Sequence, residues 1–99
     1  MSSSKDTKTI GDSLEETKEY HRRYLYAVNS PVRRGILKVL KDGDATAEVM
    51  ASKTGLDPKT LEWHLNILEH GFCVEKEARQ GINFYKITQE GKVVDFMDR

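Results

Sequence analysis

Between Leu56 and Gly71 the chain reads LDPKTLEWHLNILEHG, a stretch whose side chains suit recognition rather than bond making. At about 100° per residue of an α-helix, Lys59, Glu62, Trp63, Asn66 and His70 gather on one face, opposite Leu61, Leu65 and Leu68. An asparagine amide can pair with the edge of adenine, and a lysine at this point can reach a phosphate or a guanine. Glu62 and Glu69 work against such contacts, since phosphates repel a carboxylate, although glutamate can accept from cytosine N4. Catalysis has no comparable set. The sequence holds no Ser/His/Asp arrangement, no glycine-rich phosphate loop and no close carboxylate pair, so no enzyme and no cofactor is expected. His21, His64 and His70 are too scattered to make a metal-ligand motif, and a single cysteine, Cys73, excludes a cysteine-only cluster and an internal disulfide. His64, at the edge of the leucine stripe, reads as a partly buried structural side chain. Cys73 reads as a small core residue at the head of a strand, with no basic neighbour nearer than Lys76 to activate its thiol.

The helix that presents this face has both ends written in. Asp57 supplies a cap, Pro58 fits the first helical position, and Gly71 offers a left-handed stop. Upstream, Thr46 to Gly55 has the cap and stop of a shorter helix, joined to the next by a turn of about three or four residues. Val49, Met50 and Leu56 are its expected core residues. A short helix, a tight turn and a second helix with an outward polar face make the helix-turn-helix arrangement, whose second helix addresses the DNA major groove.

The remaining elements must pack behind this pair. Residues 1–11 are expected to be a disordered tail, because a stretch of mostly Ser, Thr, Lys and Asp buries too little apolar area to offset the cost of ordering it. Residues 12–99 are expected to form one domain. Ser13 and Glu16 have capping-box spacing, and Leu14, Tyr20, Tyr24, Leu25 and Val28 continue a tyrosine-rich helix to Asn29 whose aromatic stripe suits a core or a dimer interface. Ser30 and Pro31 start the next helix, with Val32, Ile36, Leu37, Val39 and Leu40, before Asp42 and Gly43 end it. Arg33 and Arg34 at its start admit two readings, a solvated surface or phosphate contact. After Gly71 the period becomes that of strands: Phe72 to Ala78 and Ile82 to Ile87 flank a turn at Arg79, Gln80 and Gly81. Thr88 then caps a last helix running to about Met97, with Val93, Val94, Phe96 and Met97 apolar enough to need a partner surface. The fold class is therefore α+β and mostly helical, with about five helices and a two-stranded β-hairpin.

Ninety-nine residues, 37% of them hydrophobic, suffice for one small core. No apolar run approaches a membrane span and the N-terminus lacks a secretion signal, so a cytoplasmic protein is expected. Sixteen basic and sixteen acidic side chains cancel, so DNA binding requires charge to segregate locally. Arg22, Arg23, Arg33, Arg34, Lys38 and Lys41 in the first half, against Glu15, Glu16 and Glu19, permit it.

The order of elements is that of a winged helix-turn-helix domain, and the phrases NSPVRRGILKVL, TLEWHLNILEHGF and FYKITQEGK resemble the ArsR type of prokaryotic transcription regulator over most of Asn29 to Lys92. Members of that family usually form homodimers through their first and last helices and bind operator DNA with the recognition helix and the wing. The resemblance thus implies Lys59, Thr60, Trp63 and Asn66 at the major groove, and Arg79, Gln80 and Asn83 at or near the wing tip. It also points to Leu14, Tyr24, Val93 and Phe96 on the terminal helices as the dimer surface. The family's metal sensors carry a Cys-x-Cys pair or His and Asp ligands that this chain lacks, so no metal site is expected. The alternative is a winged helix that binds protein, with Trp63 as the interface anchor; net neutrality and Glu62 favour it.

Overall fold

The structure, a computed structural model, describes residues 14–93. Helices α1 (Leu14–Val28), α2 (Pro31–Lys41), α3 (Ala47–Thr54) and α4 (Pro58–His70) precede an antiparallel hairpin of β1 (Val74–Arg79) and β2 (Ile82–Ile87), and α5 begins at Gln89–Lys92. The expected tail, Phe96 and the extension of the last helix toward Met97 lie outside the described residues.

The caps read from the sequence at Ser30, Thr46 and Thr88 act as such, while the expected cap at Ser13 lies outside the described residues. Ser30 accepts from the Arg33 N–H, Thr46 from the Val49 N–H, and Thr88 from the Gly91 N–H. The core is drawn from every layer: Ala27 and Val28 of α1, Ile36, Leu37 and Leu40 of α2, Met50 of α3, Leu61, Leu65 and Leu68 of α4, then Cys73, Val74 and Tyr85. Ala45, between α2 and α3, pairs with Tyr85 in both directions and ties β2 to the helices.

Three expectations are corrected. Val49 is 43% exposed rather than in the core. Helix α3 has only two turns, and the row it turns inward is Ala47, Met50, Ala51 and Thr54. Gly71 does not turn left-handed: its φ is −94°, and Phe72 adopts the positive value, 69°. The Cys73 N–H donates to Leu68 O and the Phe72 N–H to Glu69 O, at 2.9 and 3.1 Å, which closes α4 in the Schellman pattern with Phe72 in the left-handed position. Glycine at 71 answers a different need. A Cβ there would lie 2.5 Å from Ala27 Cβ and 2.8 Å from Arg23 O, so α1 and α4 cross where only a hydrogen fits. The left-handed conformation costs Phe72 about 1–2 kcal/mol. Its ring is held in return, stacked on Tyr20 at 4.0 Å between centroids and covered by the Arg23 guanidinium at 4.6 Å.

The third correction concerns the hairpin. Phe72 and Cys73 are spent on closing α4, so β1 starts at Val74, and Arg79 is its last residue, paired with Ile82. The turn is Gln80 and Gly81 alone, with φ of 53° and 82°, the signature of a type I′ turn whose twist matches its strands.

Candidate nucleic-acid interface

Helix α4 is fixed from two sides. The Asp57 carboxylate accepts from the backbone N–H groups of Lys59 and Thr60 at 3.1 and 3.2 Å, while Gly55, left-handed at φ 76°, stops α3 three residues before α4 begins. The Thr54 hydroxyl locks that turn by donating to Met50 O and accepting from the Leu56 N–H. With Leu61, Leu65 and Leu68 at 0 or 1% exposure, the opposite side of the helix is committed to solvent: Lys59, Thr60 and Asn66 are exposed, and Trp63 is 56% exposed. More than half of this tryptophan stands in solvent, which core packing does not require. The Thr60 hydroxyl lies 3.5 Å from the Asp57 carboxylate and so is partly turned toward the cap.

Arg33 behaves otherwise than either reading of the sequence. It is 5% exposed and withdrawn from the surface. Its Nε donates to Ala27 O at 2.8 Å and its Nη2 to Tyr26 O at 3.0 Å, so the guanidinium caps the last turn of α1, where carbonyls lack helical partners and the helix dipole favours a cation. It also lies 5.0 Å from the centre of the Tyr26 ring. Its Nη1 meets His64 Nδ1 at 3.1 Å. Because arginine only donates, Nδ1 must accept and the imidazole is neutral with its proton on Nε2. Burial, and then the Arg33 charge, hold the His64 pKa below its ordinary value. His64 in turn touches Trp63 edge-on at 4.9 Å, so a chain of contacts runs from α1 through Arg33 to the exposed indole. Arg34 is half-buried and donates from Nη1 to Val28 O at 2.7 Å, a second cap on the same helix end.

At the hairpin, Gln80 and Asn83 are exposed, while Arg79 is held in an acidic clasp. Its Nη2 donates to Asp44 at 2.5 Å and to Glu77 at 3.1 Å, its guanidinium covers the Phe84 ring at 4.7 Å, and both carboxylates raise its pKa. For Arg79 to meet a phosphate it must exchange these partners. Nothing in the sequence marked Asp44 as one, since 35 residues separate the two.

The expected dimer residues divide. The Tyr24 hydroxyl donates to Glu90 O at 3.2 Å and that of Tyr20 to the Glu90 carboxylate at 3.0 Å, which docks the start of α5 on α1. Val93 is 43% exposed, and the Leu14 side chain and Phe96 lie outside the described residues. Cys73 is fully buried, bonds to Gly71 O, and has its thiol pushed up to about 12 by burial and then by Glu90. Among the described residues no helix is long and apolar enough to cross a membrane. Sequence reasoning missed a groove of about 550 Å³ between α1 and the outward face of α4, lined by Arg22, Arg23, Tyr26, Trp63, Asn66 and Ile67 together with His70. Its walls are separated by about forty residues, so no local pattern records it.

A tight helical pair with an inward leucine row, an outward polar face and a hairpin beside it defines a winged helix-turn-helix protein. Known proteins agree. A family model described as a helix-turn-helix domain matches residues 29–76. The transcriptional repressor SdpR of Bacillus subtilis (strain 168) is 31% identical over 62 residues, which span 63% of this chain and 69% of the repressor. Among solved structures, the homodimeric winged helix-turn-helix DNA-binding domain of a possible ArsR-family regulator from Mycobacterium bovis superposes with a TM-score of 0.78 at 24% identity, covering 88% of this chain and 82% of that one. NolR from Sinorhizobium fredii gives 0.72 at 23% identity, covering 85% and 86%. The chain belongs to the family of helix-turn-helix transcription regulators that includes this Bacillus repressor, and its fold is that of winged helix-turn-helix domains.

Proposed function

We propose that this regulator acts in the cytoplasm as a homodimer that binds a specific double-stranded DNA site, with α4 in the major groove and the hairpin against the flanking backbone or minor groove. The observation that carries the reading is the outward face of α4, where Lys59, Trp63 and Asn66 stand exposed on a helix whose opposite side is wholly buried. Helix α4 fits the groove in width, and Asn66 is the side chain able to read adenine. The names of the Bacillus repressor and the Mycobacterium homodimer support the same assignment. The exposed Val93 and the α1–α5 contact support a dimer built on the terminal helices, with Leu14, Tyr24 and Phe96 as its remaining candidates.

The electrostatic share of binding is modest, because Arg33 is buried and Arg79 is clasped by carboxylates. With Lys59 and one or two further cations per protomer on phosphates, a dimer makes about 4–6 contacts, and the log–log salt slope should be about −4 to −5. Titration of labelled fragments from the source genome over a salt series measures it. Absence of any shifted fragment at low salt overturns the DNA reading and leaves Trp63 as a protein-binding anchor.

A further inference from the structure

The groove between α1 and α4 shares Trp63 and Asn66 with the DNA-reading face and has the makings of a small-molecule site. Its volume of about 550 Å³ lies within the range of ligand pockets, and its lining surface is mainly apolar, with Arg22, Arg23, Asn66 and His70 as its polar members. Two of those groups are cations. Arg22 is well exposed and paired with Glu19 within its own helix, a contact that an incoming anion can replace. Arg23 is anchored: Nε donates to His70 O at 3.0 Å and the guanidinium lies on Phe72, so its plane is fixed. Among the described residues Nε is the one side-chain donor of Arg23 with a hydrogen-bond acceptor, which leaves its Nη amines to a ligand. Beside them are the rings of Tyr26 and Trp63 and the side chain of Ile67. A fixed guanidinium next to aromatic walls is complementary to a flat apolar body that carries one negative charge.

We infer that the α1–α4 groove binds a small aromatic anion, and that its occupation and DNA engagement exclude one another because both require Trp63 and Asn66. The second half rests on the DNA reading given above; the first half does not.

Trp63 is the sole tryptophan of the chain, so its emission reports on the groove directly. The full-length protein is titrated, without DNA, with the aromatic anion 1-anilinonaphthalene-8-sulfonate and with its uncharged analogue N-phenyl-1-naphthylamine. Saturable quenching of Trp63 by the anion, with the neutral probe about tenfold or more weaker, is expected. Arg23→Gln should remove most of that preference. Arg22→Gln, at a solvent-exposed position, should lower it in a protein whose fold is undisturbed. Equal affinity for the two probes, no quenching, or an anion preference untouched by both substitutions overturns the site. In a second arm the anion is added to protein bound to a labelled genomic fragment. Release of DNA at the concentrations that quench Trp63 is expected, and simultaneous binding of both overturns the exclusion. Quenching that follows the expected pattern in a protein that binds no fragment upholds the site and refutes the DNA reading alone.

Discussion

Replacing Arg33 separates the phosphate contact that the sequence allowed from the buried role that the structure gives this side chain. A phosphate-contacting arginine can be removed with little effect on folding, whereas the buried guanidinium seen here holds the end of α1 and the imidazole of His64. A hydrogen bond to a charged group contributes about 1.5–3 kcal/mol net, and Arg33 makes two to the carbonyls of Tyr26 and Ala27. These are not additive with the favourable placement of a cation at a helix C-terminus, so about 3 kcal/mol is a reasonable total for Arg33→Ala. For a domain of this size each kcal/mol shifts Tm by about 4–8 °C, which gives a fall of about 12–24 °C. Arg33→Lys should lose much of the same stability, because an ammonium cannot span carbonyls and imidazole with a planar fork. The assay is thermal unfolding followed by far-UV circular dichroism at fixed protein concentration, since dimerisation makes Tm depend on concentration. An Arg33→Lys protein with unchanged Tm, or an Arg33→Ala protein that melts normally and only binds DNA less well, refutes the reasoning.

Two glycines should respond in opposite directions. Gly71→Ala must push apart α1 and α4, at a cost of about 1–3 kcal/mol, whereas Gly35→Ala in the middle of α2 meets nothing within 4 Å and should stabilise by about 0.5–1 kcal/mol; urea unfolding of both variants checks the contrast. His64 makes stability pH-dependent. Its folded pKa lies below the unfolded value of about 6.5, so the unfolded chain binds the proton more readily, and stability that is complete above about pH 6.5 is lost as pH falls below it. Melting temperatures measured across that window should decline on acidification, and His64→Gln should flatten the profile. A profile indifferent to that substitution would show that protonation occurs elsewhere.

The local grammar of this chain was readable because each signal lies within a few residues of its effect. Ser30, Thr46, Asp57 and Thr88 all cap the helices they precede, and the leucines of α4 separate buried from exposed faces. Gly71 shows where such grammar stops. A glycine after a helix suggests a left-handed residue, but the reason for this one is the passage of α1, more than forty positions away in sequence. The same holds at the site. Lys59, Trp63 and Asn66 were legible because one helix fixes their relative directions, whereas Arg33, Arg79 and the groove depend on Ala27, Asp44 and Tyr26, which no period or spacing connects to them.

DNA recognition by this protein depends on the outward face of α4. The direct test is the affinity of Trp63→Ala and Asn66→Ala for a fragment selected from the source genome, read by fluorescence anisotropy beside the melting temperature of each variant. Both proteins should melt close to the unaltered one, since neither side chain is buried, while Asn66→Ala weakens binding by about 1–3 kcal/mol and relaxes the preference at one base pair. Full affinity and unaltered base preference in both variants would contradict it.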